Sequence, residues 1–420
     1  MTGVHRANEV APPRGPVNVL FVLVDCLGSH LAFGPRPRMA MPGLDSLLRD
    51  GTAFSTCIAT ATTTSPSIAT LFTGTLPFVH GVRSLHGFKL NDDVATLAEI
   101  VRDHGFATLA EAVGPVVSSK GFDRGFAVFE HRAHMTNLYD DAYWTKLRST
   151  LGQLSERSPW FCYLHLWELH RPRAVPAGFR GRAAGRTPYQ RSLTAFAATR
   201  LERLIELAGP DTLVVLTGDH GEIARYDTAI GVATRLRLKA ISRYLAAHSG
   251  HGVSVVEDLV RVPLILSGPG VPHGSRVDTA IRHMDVLPTI LDLLGIDDER
   301  STQIRGESLR PLLSGGGPDR PGYSEAVGVT MPGGPERWLV SVRHEGWKYV
   351  RNAAGSQRIL WKLPDERTDH AAREPAVVER MEALMSELQA GRSLAATGED
   401  LSADESDEME AHLRDLGYIE

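Results

Sequence analysis

Cysteine is scarce in this chain. Only Cys26, Cys57 and Cys162 occur, far apart and with no CxxC pair. That spacing excludes a disulfide framework or a structural zinc knot as the organising device and fits a reducing cytoplasm. Long apolar runs are missing too. Val19 to Val24 is far too short to span a bilayer. The opening MTGVHRANEVAPPRGP is polar and proline-rich, without the basic start and apolar core of a signal peptide. Residues 1–16 are therefore expected to be a disordered lead, and the protein to be cytoplasmic without a membrane anchor. Nor is there a surplus of positive charge. Lys and Arg total 45 against 50 Asp and Glu, a formal charge of −5. No broad field exists for a nucleic-acid duplex or an anionic membrane, so a small anionic substrate must be drawn by a local pocket.

What is present describes an α/β protein. At 420 residues, 42% hydrophobic and 23% charged, the chain is long enough for one large domain and a smaller companion. Asn18 to Asp25, NVLFVLVD, is a continuous apolar run ending in a carboxylate, the pattern of a strand buried on both faces of a parallel sheet. FCYLHL (Phe161–Leu166), TLVVLT (Thr212–Thr217) and VPLILS (Val262–Ser267) repeat it. Helical patterns over Val94–His104, Thr187–Ala208 and Met284–Leu294 alternate with them, which predicts a mostly parallel sheet between helices. Ligands of such sheets gather at the carboxyl ends of the strands. Asp25 and the TGDHGE stretch both fall at such ends. After about residue 315, glycines and prolines give way to alternating stretches at Trp338–Val342, Trp347–Val350 and Arg358–Trp361, then a helical pattern at Ala376–Leu388. These predict a small antiparallel subdomain over 316–390. An acidic tail, 391–420, follows, and its end can dock as a short helix.

Asp25, Asp219 and His220 offer two carboxylates and an imidazole. That donor set suits one divalent ion, Mn²⁺, Mg²⁺, Ca²⁺ or Zn²⁺. An Asp at a strand end is also a common turn former. Adjacent Asp and His between glycines at a sheet edge, by contrast, rarely serve packing. In Thr62-Thr63-Thr64-Ser65-Pro66-Ser67, Pro66 fits the first helical position and Ser65 the cap. Thr64 then stands just before a helix N-terminus, where anions are favoured. Taken alone, the segment is a capped helix start.

Several segments in order resemble the sulfatase branch of the alkaline phosphatase superfamily, over nearly all of residues 17–420. MPGLDSLLRDGTAFSTCIATATTTSPSIATLFTGTLPFVHGV resembles the stretch around that family's nucleophile. TGDHGE, HGVSVVEDLVRVPLILSGPGV, RHMDVLPTILDLLGI, RGESLRPLLSG and the ending LRDLGYIE follow in the family's order. The resemblance implies an alkaline phosphatase-like sandwich over 17–315. It implies that Asp25, Asp219 and His220 hold a metal ion, with Thr64 in the nucleophile's place and also on the ion. His170, in LHLWELHRP, and His251, ten residues before Arg261, fall where the family contacts the transferred group or leaving group. His86, in RSLHGFKL, and Ser65 fall near substrate-binding positions.

The departures shape the functional expectation. Sulfatases proper oxidise a Cys or Ser to an aldehyde, which Thr64 cannot supply. Ile68 stands for the motif's arginine, Cys26 for a second aspartate, and GFATLAEAVGPVV lacks the family's lysine and histidine. A threonine nucleophile resembles the phosphodiesterase and phosphotransferase branches instead. The expected chemistry is metal-dependent cleavage of phosphate mono- or diesters or phosphonate esters through a phosphothreonine. A sulfate-ester hydrolase working without the aldehyde and a non-catalytic binding protein are the alternatives. Between TGDHGE and His251, residues 227–248 carry Arg235, Lys239 and Arg243 at helical spacing. They describe either a lid bringing positive charge to the substrate or a solvated basic face.

Overall fold

The computed structural model describes residues 17–132, 136–223, 252–313, 315–328 and 336–389, with Asp407 and Glu410. Two sheets organise them. The larger has nine strands in the order β4-β3-β5-β1-β6-β7-β2-β8, with β9 beside β2. Its members are β1 (Asn18–Val24), β2 (Gly51–Ile58), β3 (Ala107–Ala112), β4 (Val128–His131), β5 (Trp160–Leu166), β6 (Thr212–Thr217), β7 (Arg261–Ser267), β8 (Ser275–Val277) and β9 (Ile281–Arg282). β4, β3, β5, β1 and β6 run parallel. β7 is antiparallel to both β6 and β2.

β1 is buried at every position, as a central strand covered on both faces must be. Its alternate side chains feed two cores. Val19, Phe21 and Leu23 join the cluster around the helices Thr64–Thr73 and Val286–Leu294. Leu20, Val22 and Val24 join the one around Asp141–Ser155, Pro188–Thr199 and Leu201–Ala208. The helical pattern over 187–208 is thus two helices that break at Arg200. In register, Leu23 lies beside His165 of β5 and Thr217 of β6. Three strands therefore end level, and Asp25, His165 and the residues after Thr217 meet at one edge.

The second sheet is antiparallel, β10-β11-β12-β13, built from Gly322–Ala326, Leu339–His344, Trp347–Asn352 and Arg358–Lys362. The helix Pro375–Gln389 lays Val378, Met381 and Met385 on Val340, Val342, Tyr349 and Leu360. β10 is not evident in the sequence because GYSEA carries no apolar alternation. Its polar side chains are instead buried against the larger domain. Ser324 Oγ donates to the Ala59 carbonyl at 2.6 Å, and the Glu325 N–H to that of Thr60 at 2.8 Å. The small sheet thereby braces the loop that leads into the helix Thr64–Thr73.

Candidate metal and nucleophile site

Asp25 follows β1 directly, and its N–H extends the ladder to the Leu166 carbonyl at 2.8 Å. The next residue, Cys26, turns the chain with φ 62°, a left-handed conformation that costs a non-glycine residue about 1–2 kcal/mol. Its N–H donates to Asp219 Oδ1 at 2.9 Å, and its carbonyl accepts from the Tyr189 hydroxyl. Both glycines of TGDHGE permit close approach. A Cβ on Gly218 would stand 2.4 Å from the Leu27 carbonyl oxygen, and one on Gly221 would stand 2.0 Å from that of Asp258. Between them, Asp219 and His220 are driven against Asp25. One ligand atom each from Asp25, Cys26 and His220 lies within 4.8 Å of the others, and all three residues are buried. Asp219 adjoins them, with Oδ2 3.2 Å from His220 Nε2.

The electrostatics are those of two carboxylates sharing one buried place. Burial alone raises the Asp25 pKa. The hydrogen bond from His165 and the charges of His170, His220 and His165 outweigh it and hold the carboxyl well below its usual range. Asp219 moves the other way, raised by burial and then by the Asp25 charge. Burial lowers His220, but the Asp219 and Asp25 carboxylates overcome it and raise the imidazole. His220 Nδ1 donates to the Gly221 carbonyl at 2.9 Å; a carbonyl can only accept, so Nε2 is the nitrogen left to face the carboxylates.

Thr64 opens the helix Thr64–Thr73, whose ten residues are all buried. Phe72 anchors that helix edge-on against Tyr163 of β5, ring centroids 4.8 Å apart, and Gly74 closes it with φ 61°. The helix starts two residues earlier than Pro66 suggests. Thr63 is the cap and Thr64 the first helical residue, so Ser65 is not the cap. Its hydroxyl donates instead to the Pro115 carbonyl at 3.1 Å, tying the helix to the loop after β3. Thr64 Oγ1 donates to Asp25 Oδ2 at 3.4 Å. Ile68, at the position of the missing arginine, lies in the apolar core and brings no charge of its own.

His170 is buried, and its ring centroid lies 3.8 Å from that of Trp167, with the planes tilted by 31°. Its Nδ1 donates to the Arg171 carbonyl at 2.7 Å, which makes Nε2 the exchangeable position. Trp167 packs on Val113, in the segment where a family lysine is missing. His165 is a member of this edge that sequence reasoning passed over. Its Nε2 stands 3.5 Å from Asp25 Oδ2, and the residue is fully buried. A polar residue interrupting the apolar run FCYLHL was the available signal. His86 is not joined to Thr64 or Asp25 by any hydrogen bond among the described residues; its Nε2 lies 3.9 Å from Glu410 Oε1. His251, Arg235, Lys239 and the 227–248 lid lie outside the described residues.

The donor set fits a divalent ion. Asp25 Oδ1 and Asp219 Oδ2 are buried oxygens that accept no hydrogen bond, an arrangement that needs a positive charge. A mostly parallel sheet between helices, with such a cluster at its strand ends and a small antiparallel sheet beside it, is the architecture of the alkaline phosphatase superfamily. Within it the chain belongs to the Sulfatase family, whose profile matches residues 17–296. It is a hydrolase of that superfamily. Arylsulfatase K of Gallus gallus is 22% identical over 465 residues, covering 90% of this chain and 84% of the relative. An ulvan-active sulfatase of Formosa agariphila is 22% identical over 476 residues, covering 99% and 87%. The phosphonate monoester hydrolase of Agrobacterium radiobacter superposes with a TM-score of 0.69 at 20% identity, over 90% of this chain and 97% of that one. Among the described residues no helix is long and apolar enough to cross a membrane.

Proposed function

We propose that this protein cleaves phosphate mono- or diesters or phosphonate esters with Thr64 as nucleophile, in a site where Asp25, Asp219 and His220 hold one divalent ion. The observation that carries the reading is the Thr64 hydroxyl, at the start of a buried helix, hydrogen-bonded to Asp25 beside that cluster. A bound divalent cation supplies Lewis acidity, lowering the pKa of a nearby hydroxyl and neutralising charge on the ester. The helix N-terminus favours the anionic group at Thr64. The Thr64 hydroxyl gives up its proton to solvent as Oγ1 attacks in line and forms the new bond to phosphorus, the bond to the ester oxygen breaks, and water or an acceptor then resolves the phosphothreonine. His170, oriented by its Nδ1 donation, gives a proton from Nε2 to the departing oxygen.

The fold shared with the phosphonate monoester hydrolase of Agrobacterium radiobacter supports this class by analogy. The names of the arylsulfatase and ulvan-active relatives favour a second reading, hydrolysis of a sulfate ester by the same threonine. The test is turnover by purified protein and Thr64→Ala, with Mn²⁺, Mg²⁺, Ca²⁺ or Zn²⁺, of aryl phosphate mono- and diesters, aryl phosphonate esters and aryl sulfates. Metal-dependent phospho- or phosphonate-ester turnover that the variant lacks is expected. Turnover of sulfates alone moves the assignment to the second reading.

A further inference from the structure

The three cysteines are buried in different company. Cys57 and Cys162 pack inside apolar clusters, as free cysteines usually do. Cys26 belongs to neither cluster. Its backbone is fixed on both sides, by Asp219 on its N–H and Tyr189 on its carbonyl, in a left-handed conformation. That conformation sets its sulfur among the Asp25 and His220 ligand atoms, all within 4.8 Å. A second observation marks this as a place for an ion. Asp25 Oδ1 is completely buried and accepts no hydrogen bond, while Oδ2 of the same carboxylate is engaged by Thr64 and faced by His165.

We propose that Cys26 is a sulfur ligand of the metal site. The position that reads in sequence as a lost carboxylate ligand is a substituted one. With a thiolate beside carboxylate and imidazole, the site is a mixed oxygen, nitrogen and sulfur centre. Such a centre selects a borderline-soft ion of the zinc or cobalt type over magnesium or calcium. As the metal–sulfur bond forms, the S–H bond breaks and its proton leaves to solvent, one proton per ion from this residue. This rests on the metal reading above.

The experiment uses the full chain, stripped of metal and reloaded. With one equivalent of Co²⁺, a sulfur-to-cobalt charge-transfer band is expected in the near ultraviolet. It should persist in Cys57→Ala and Cys162→Ala and vanish in Cys26→Ser. Zinc-edge X-ray absorption of the unmutated protein, which does not depend on any variant folding, should show one sulfur scatterer at about 2.3 Å. Cys26→Ser should weaken Zn²⁺ binding at least about tenfold, the lower end of what even outer partners of a metal site contribute. One equivalent of bound metal with only oxygen and nitrogen scatterers would overturn the Cys26 assignment and leave the metal site standing. Failure to bind any of these ions stoichiometrically would overturn both.

Discussion

Oδ2 of Asp25 is shared between two side chains from distant parts of the chain, the Thr64 hydroxyl at 3.4 Å and His165 Nε2 at 3.5 Å. Oδ1 has no such partner. One oxygen therefore orients the Thr64 hydroxyl while the other stays available to a cation. On this geometry Thr64→Ala should lower kcat by at least about 10³-fold with little change in fold, and Thr64→Ser should keep most of the rate. Steady-state kinetics with a matched thermal melt separate the two effects. Equal losses in both variants would contradict the role of the hydroxyl.

Asp219 is held by the Cys26 N–H through one oxygen and faces His220 through the other. Asp219→Asn keeps the shape and removes the charge. It should weaken divalent-ion binding about 10–100-fold, read by titration calorimetry on the stripped protein. Unchanged affinity would place the ion elsewhere.

Arg83 and Glu325 form a bidentate pair at 3.0 and 2.8 Å, both fully buried, with the Tyr323 hydroxyl also donating to Glu325. Because Glu325 also pairs through its backbone with Thr60, this contact locks the small sheet to the loop before Thr64. Arg83→Met alone leaves a buried carboxylate and should cost about 3–5 kcal/mol in urea unfolding. The double variant Arg83→Met with Glu325→Leu should recover much of that loss. A single-variant cost under about 1 kcal/mol would show the pair to be incidental.

Lys120 is buried, with Nζ donating to the Leu85 carbonyl, and burial pushes its ammonium down to about 7. Its folded pKa thus lies below the unfolded value of 10.5. Between those values the unfolded chain binds a proton that the folded chain does not, so this group makes stability rise with pH across the window. Lys120→Met abolishes that term. Relative to the parent, the variant should be favoured most below pH 7 and lose about 3 kcal/mol of that advantage by pH 9. Denaturant titrations at both pH values check it, and a constant difference would contradict the burial argument.

Much of the frame was legible because continuous apolar runs have one reading. Thr212–Thr217 is a strand at the bounds its apolar run suggests, and β1 and β5 begin or end within a residue of theirs. Asp25 and the Asp219-His220 pair stand out in the sequence as metal-ligand residue types at strand ends, only the resemblance singles out Thr64, and sheet register explains why residues so far apart in sequence meet. His165 was hidden because it sits inside an apolar strand, and Cys26 because a cysteine in the place of a carboxylate reads as a loss. β10 was invisible because its polar side chains are buried by partners about 265 residues away in sequence, such as Ala59 for Ser324. Nothing local to GYSEA announces that pairing. Pro66 misled by two residues because Thr63 caps through backbone geometry, without a side-chain hydrogen bond.

The proposed reaction requires Thr64 to become covalently linked to the transferred group. The direct measurement is rapid acid quench during turnover of an aryl phosphonate or phosphate ester, followed by peptide mass spectrometry. An adduct of the transferred group on Thr64, absent from Thr64→Ala and from metal-stripped protein, is the expected result. Turnover with the group on another residue, or with Thr64 unmodified under conditions where the burst of leaving group is complete, would contradict it.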